Sequence, residues 1–176
     1  MWKLSPITAA ALSSLAVAAC APSLGPPPPG RPSGPPGFQA ADFAWSQAAG
    51  RNGVAGHVAH RRGATRYSCA GAGVVLTPET PWSRARMAAL YGSTERAALP
   101  TEAVRARTPN APAGDAGPYV KRTTCDVQDR FSFSGLADGA WYVITTARPV
   151  GEPQGESVAL MRRVITRGGR TVALEL

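Results

Sequence analysis

The residues of this chain that could carry chemistry are few, because it contains only three cysteines and two histidines. His57 and His60 would share one face of a helix, but the alternating stretch 54–60 predicts a strand, on which they point to opposite faces. The neighbouring Arg61 and Arg62 would also repel a cation. We therefore expect no metal site and no cofactor.

The patterns of the common catalytic sites are also absent. The sequence has no G-x-S-x-G nucleophile elbow and no C-x-x-C redox pair. The glycines of 71–73 lead into a strand rather than a helix, so they lack the amide-lined helix start that binds phosphate. Glu79, Glu95 and Glu102 have no evident partner. We predict no catalytic residue and expect that the chain is not an enzyme.

The start of the chain resembles a bacterial lipoprotein signal. Lys3 precedes a small apolar stretch, 7–17, which is too short to span a membrane. Small residues then lead to Cys20, which in such signals is acylated and becomes the new N-terminus once residues 1–19 are removed. A plain secretory signal also ends in small residues, but a cysteine directly before a Pro/Gly tract favours lipidation. The neutral Ala21 is typical of sorting to the outer membrane, facing the periplasm.

Three segments follow the predicted signal. Proline and glycine dominate 20–37, which predicts an extended linker without a core. The segment 38–51 could form a short helix whose Phe38, Phe43 and Trp45 lie against the following domain. The remaining chain, 52–176, is long enough for one domain.

Cys69 and Cys125 remain as an even pair in an exported chain, where disulfides form and persist. A bond between them would close a loop around the predicted helix. Two separate buried thiols are the alternative. The sequence therefore favours a structural disulfide over a redox-active one.

The clearest strand signal is the stretch 130–143. Phe131 and Phe133 alternate with serines, and Leu136 completes the apolar set. Asp138-Gly139 predicts a tight turn before a second extended run. This pair of strands should form the centre of the domain.

The rest of the domain also favours short strands. One helix is predicted over 82–91, capped by Thr80-Pro81 and stopped by Gly92, and its predicted packed positions are Trp82, Met87, Leu90 and Tyr91. The segment 93–118 should be mostly loop, and the last two strands should form a closing hairpin across Arg167-Gly168-Gly169-Arg170. The seven predicted strands are 54–60, 73–77, 119–127, 131–136, 141–146, 158–166 and 171–176.

Several of these motifs together resemble the carboxypeptidase regulatory-like domain. They are Gly53-Val54, Cys69-Ala70-Gly71 before 74–78, and the pattern D-x-x-x-x-F-x-F-x-x-L-x-x-G over 126–139, followed by Tyr142-Val143. The resemblance implies an all-β, seven-stranded transthyretin-like (prealbumin-like) Greek-key sandwich with one short inserted helix. It also implies a structural or binding module rather than a catalyst. We expect Tyr142 to pack with the two phenylalanines and the leucine of this motif.

The formal net charge of +8 would become +7 on removal of Lys3 with the signal, and nearly all of the positive charge is arginine. Such charge favours anionic envelope material, lipid phosphates or polymers, while export argues against nucleic acid as a partner. GC-rich coding produces the same excess of arginine, alanine, glycine and proline, so both interpretations stay open.

Two functions follow from these observations. The first is a non-catalytic, lipid-anchored structural or interaction module that contacts another envelope protein. The alternative is an accessory domain that binds a carbohydrate or an anionic polymer. A row of exposed aromatic side chains would favour the alternative, and the candidates are Trp82, Tyr91, Tyr119 and Trp141.

Overall fold

A computed structural model describes residues 35–152 and 154–176 of the chain. The predicted signal 1–19, the lipidation site Cys20 and most of the linker 20–37 lie outside the described residues. Within them, no helix combines the length and the apolar character needed to cross a bilayer.

The described chain forms an all-β sandwich with added helices, as predicted. Its ten strands are β1 (Asn52–His57), β2 (Arg61–Arg62), β3 (Thr65–Ser68), β4 (Gly73–Pro78), β5 (Arg96–Pro100), β6 (Lys121–Thr124), β7 (Arg130–Leu136), β8 (Gly139–Pro149), β9 (Val158–Thr166) and β10 (Thr171–Glu175). Its helices are α1 (Pro81–Tyr91), α2 (Thr101–Arg107) and the 3-10 helices Ala40–Gln47, Thr108–Asn110 and Gly117–Tyr119.

The strands form a small and a large sheet. In the small sheet, β1 lies between β10, to which it is parallel, and β7, to which it is antiparallel. The large sheet is antiparallel and runs β5-β9-β8-β4-β6, with the short β2-β3 hairpin added where β3 pairs with the end of β8. Helices then cover the second face of the large sheet.

The main core lies between the two sheets, as the alternating pattern predicted. Phe131, Phe133 and Leu136 all point into it, although the last two are three positions apart. The pairing of β1 with β7 shifts register between these two residues, and Gly135 accommodates the shift with a φ of 68°. Because of this irregularity, Phe133 and Leu136 can point to the same face.

A second core lies between the large sheet and the helices. Tyr142 belongs to it, together with Met87, Leu90 and Met161, whereas its neighbours Trp141 and Val143 point into the main core. The prediction that Tyr142 packs with Phe131 and Phe133 is therefore wrong. Successive residues of a strand face opposite sides. A shift of one position along β8 therefore moves a side chain from one core to the other.

The prediction of seven strands and one helix missed β2, β3, β5 and α2. The strands β2 and β3 are too short to show an alternating pattern. The strand β5 lies at the edge of its sheet and ends in Pro100, a residue that edge strands tolerate but that weakened the strand signal. Pairing with distant partners, β8 and β9, holds β3 and β5, whereas β2 pairs with the adjacent β3.

The predicted closing hairpin is also wrong. The strand β9 has the expected bounds and β10 ends one residue before its predicted end. However, β9 pairs with β8 and β5, while β10 pairs with β1 in the other sheet. The Gly-rich connection therefore crosses from one sheet to the other. Buried Asn52 holds it, since its Oδ1 accepts hydrogen bonds from the backbone N–H groups of Gly169, at 2.8 Å, and Arg170, at 3.2 Å.

Helix α1 matches its prediction closely. Thr80 caps it in a reciprocal pair of hydrogen bonds with Ser83, proline occupies its first position, and Gly92 ends it in the left-handed conformation. The four predicted packed positions are all buried. The predicted helical segment 38–51, before β1, contains the 3-10 helix Ala40–Gln47. In it Phe43 is buried and Trp45 lies edge-on against Trp141, with ring centroids 4.9 Å apart.

Cys69 and Cys125 form the predicted disulfide, with Cα atoms 5.7 Å apart. Buried Asp129 supports this end of the sandwich. Its Oδ1 accepts hydrogen bonds from the Ser68 hydroxyl and, at 2.8 Å, from the Cys69 backbone N–H. Asp129 adopts a φ of 62°, which turns the chain into β7. In this position its carboxylate accepts the hydrogen bond that the backbone N–H of Cys69 needs.

Candidate functional site, an arginine-lined cleft

A cleft of about 440 Å³ opens where β5 and β9 of the large sheet meet the end of β10 of the small sheet. Ala98 and Leu160 contribute its apolar lining, and the chain between β1 and β2 closes it with His60 and Arg61. The cleft therefore uses elements from both sheets and from four separate parts of the sequence.

Three arginines line this cleft. Arg96 on β5 is the direct register partner of Arg162 on β9, and Arg61 at the start of β2 is the third. Arg162 lies two positions from both Leu160 and Val164, so strand alternation places it on the face that carries the main core. The arginine pair thus belongs to the inner face of the large sheet, near the edge strand β10.

The charges of these three arginines are not neutralised by acidic side chains. In the described parts of the chain, no carboxylate lies within 4.0 Å of the guanidinium nitrogens of Arg61, Arg96 or Arg162. Arg162 donates instead to the backbone carbonyl of Glu175, with an Nη1–O distance of 2.8 Å. The cleft therefore carries a local excess of positive charge.

Other arginines of the domain do form ion pairs. The pairs within the described residues are Arg62–Glu156, Arg66–Asp129, Arg84–Glu79, Arg105–Glu102, Arg130–Asp126, Arg163–Glu79 and Arg163–Glu95. Some arginines without an ion pair, such as Arg122 on β6, lie away from the cleft lining. The cleft differs from these in presenting two facing guanidinium groups beside a concave surface.

His60 lines the cleft but adds no fixed charge to it. Its Nε2 atom is buried without a hydrogen-bond partner among the described residues, and its ring lies edge-on against Tyr67, with centroids 5.2 Å apart. Burial, with a contribution from Arg62, lowers the pKa of His60 below its usual value of 6.5. His57 lines a different groove on the small sheet, so the two histidines do not converge.

Glu79 lies outside the cleft, in a network that the sequence did not predict. Its carboxylate accepts hydrogen bonds from Arg84 and Arg163, each at 2.6 Å, and from the Tyr142 hydroxyl at 3.3 Å. Burial, helped by the negative charge of Glu79, raises the pKa of Tyr142 to about 12. This network joins the start of α1 to β8 and β9.

The four candidate aromatic residues do not form an exposed row. Trp82, Tyr91 and Trp141 are buried, and Tyr119 is half-buried with its ring stacked on Phe43 at a centroid distance of 4.8 Å. These side chains are packing residues within the described chain. An aromatic platform for sugar rings is therefore not built from them.

No pattern in the sequence indicates the arginine cleft. Arg96 fell in a stretch interpreted as loop, and no local pattern places it opposite a residue more than sixty positions away. Its position depends on the pairing of β5 with β9. The proximity of the two arginines could have been predicted only if β5 had been predicted as the edge strand beside β9.

The described chain is thus an all-β sandwich with an arginine-lined cleft. No known family model matches it, and no curated protein matches it. Among solved structures, it is similar to a crystal structure from Pseudomonas aeruginosa described as a "putative carbohydrate binding protein". The likeness has a TM-score of 0.56 and 20% sequence identity, and it covers 80% of this chain and 99% of the other. At that identity the likeness shows the fold alone.

Proposed function

We propose that this chain is a non-catalytic, lipid-anchored protein of the bacterial envelope whose sandwich binds an anionic polymer at the arginine cleft. The observation that carries the proposal is the facing pair Arg96 and Arg162, which lines a cavity and has no acidic partner among the described residues.

Two physical arguments support an anionic ligand. Like charges directly opposite each other in an antiparallel pair destabilise a sheet, and a bound anion would relieve this repulsion. Arginine also presents a planar fork that donates two hydrogen bonds to a carboxylate or phosphate. The cleft volume of about 440 Å³ falls in the range of roughly 300–1,000 Å³ that is typical of ligand sites.

The proposed location limits the choice of ligand. A lipoprotein anchored through Cys20 meets polysaccharides and lipid headgroups rather than nucleic acid. A concave cleft suits a polymer segment better than a flat bilayer surface, so the proposed ligand is a polymer. The similar Pseudomonas aeruginosa structure, described as a "putative carbohydrate binding protein", supports this choice, as does the resemblance to carboxypeptidase regulatory-like modules.

The test is binding of the detergent-solubilised full-length protein to polygalacturonate, with neutral dextran as the comparison. The double variant Arg96→Ala/Arg162→Ala should lower the affinity by about tenfold or more, since hydrogen bonds to charged groups contribute about 1.5–3 kcal/mol. The matched control, Lys121→Ala/Arg122→Ala on β6, removes the same charge elsewhere and should change the affinity less than twofold.

Two outcomes would overturn the proposal. An equal loss in both double variants would show that binding depends on diffuse net charge rather than on the cleft. Binding to vesicles of anionic phospholipid that depends on Arg96 and Arg162, without binding to polygalacturonate, would assign the cleft to a membrane surface.

The anchor has its own test. Cys20→Ala should release the protein from the membrane fraction or block its maturation. Unchanged membrane association together with an unchanged shift from precursor to mature form would contradict the lipid anchor, while the cleft experiment would still decide the ligand.

A further inference from the structure

The arginine cleft shares one residue with a second cavity. Glu175, at the end of β10, lines the cleft and also lines a groove of about 490 Å³ on the small sheet. Ala55, Ala173 and Phe131 contribute to the lining of the groove. Glu175 is exposed, so the two cavities meet at a solvent-accessible residue with an acidic side chain.

Polar side chains mark one end of the small sheet in a regular row. His57 of β1 is the register partner of Glu175 on β10 and of Arg130 on β7. All three are exposed, and the exposed positions beyond them along these strands carry only small side chains. The row therefore leads from the edge of the arginine cleft across the three strands of the small sheet.

The carboxylate of Glu175 is available at this junction. Arg162 donates to the backbone oxygen of Glu175, and no arginine or lysine forms an ion pair with its side chain in the described chain. The carboxylate of Glu175 can accept hydrogen bonds from a ligand's hydroxyl or amine groups, and it repels a ligand that carries only negative charge.

We infer that the two cavities form one continuous binding path for an acidic polysaccharide, an inference that rests on the proposed function. One carboxylate of the polymer binds Arg96 and Arg162, a sugar hydroxyl donates to Glu175, and a later carboxylate reaches Arg130. The path thus alternates basic and acidic groups, which suits a polymer of acidic sugars with free hydroxyl groups. Polyphosphate lacks such donors at neutral pH.

The first experiment measures the affinity of the full-length protein for galacturonate oligomers of increasing length. Arg96→Ala should weaken binding of every oligomer, including the disaccharide. Arg130→Ala should leave the disaccharide unaffected and should weaken binding of long oligomers by roughly 1.5-fold to fivefold, the effect of one exposed charged contact. Arg105→Ala, which also breaks an exposed arginine–carboxylate pair, is the matched control and should change neither.

The second experiment asks whether Glu175→Ala raises or lowers the affinity for each of two polymers. The variant should bind galacturonate oligomers more weakly, because an acceptor is lost, and polyphosphate more tightly, because a repulsive charge is lost. Thermal unfolding of each variant shows whether the fold is kept.

The outcomes separate the path from the cleft. If Arg96→Ala weakens binding but Arg130→Ala has no effect at any length, the cleft binds the polymer and the continuous path is wrong. An increase in affinity for both polymers in Glu175→Ala would also overturn the role of Glu175. If Arg96→Ala has no effect on any oligomer, the proposed function itself fails.

Discussion

Arg96 and Arg162 face each other directly across the β5–β9 pair, and no acidic side chain of the described chain forms an ion pair with either of them. Neighbouring Arg163, on the opposite face of β9, pairs with Glu79 at 2.6 Å. The same strand thus carries one arginine that stabilises the fold and another whose charge remains available for a ligand.

This relationship predicts that a substitution which stabilises the domain will also weaken ligand binding. Arg96→Glu places opposite charges across the pair, and it should stabilise the domain by about 0.2–1 kcal/mol, as favourable cross-strand pairs do. The same change should abolish binding to polygalacturonate. Urea unfolding and polymer binding are measured on one preparation.

The control for that prediction is Arg96→Gln, which removes the charge without adding an acid. It should fall between the wild-type protein and Arg96→Glu in both measurements. A loss of stability in Arg96→Glu would contradict the repulsion between Arg96 and Arg162.

The disulfide predicts a large entropic effect. Cys69 and Cys125 are 56 positions apart, and the chain-entropy relation for a loop of that size gives about 4 kcal/mol. The double variant Cys69→Ser/Cys125→Ser should lose stability of this order in urea unfolding. A wild-type protein that unfolds at the same urea concentration with and without reductant would show that the bond contributes nothing.

The main core gives a third prediction. Phe133 is 8% exposed and lies among buried residues from both sheets, so Phe133→Ala should lower the free energy of unfolding by about 3–5 kcal/mol. Ser132→Ala, on the exposed face of the same strand, should change it by less than about 0.5 kcal/mol. Similar values for the two variants would mean that the assigned strand register is wrong.

Tyr91 predicts a loss of stability in strong alkali. Burial against the large sheet raises the pKa of Tyr91 to about 12 from 10.0. Because the folded pKa is the higher one, the contribution to stability is complete below pH 10 and is lost as the pH rises through about 12. Tyr91→Phe should therefore be less sensitive to pH in this window.

Urea unfolding at a series of pH values between neutrality and this window measures the effect. Tyr142, whose pKa burial also raises to about 12, titrates in the same window and leaves part of the alkaline loss in the Tyr91→Phe variant. Parallel stability curves for the wild-type protein and Tyr91→Phe would show that ionisation of buried Tyr91 does not cause the alkaline loss of stability.

Local sequence determined the elements whose signals are complete within a few residues. The alternation of Phe131 and Phe133 marked β7, and Thr80, Pro81 and Gly92 marked both ends of α1. Caps and alternating faces arise from contacts between near neighbours in the chain, so they can be predicted without knowledge of the fold. The disulfide was predicted from the even cysteine count and the expected export.

Tertiary structure alone decided the arrangement of these elements and the candidate site. Whether Tyr142 faces one core or the other depends on a single residue of strand phase, and whether β10 pairs with β9 or with β1 depends on the competition between sheets. The cleft forms because β5 pairs with β9 and brings Arg96 opposite Arg162. Such long-range pairings depend on the whole packed domain, so the residues of the cleft carry no local signal of their own.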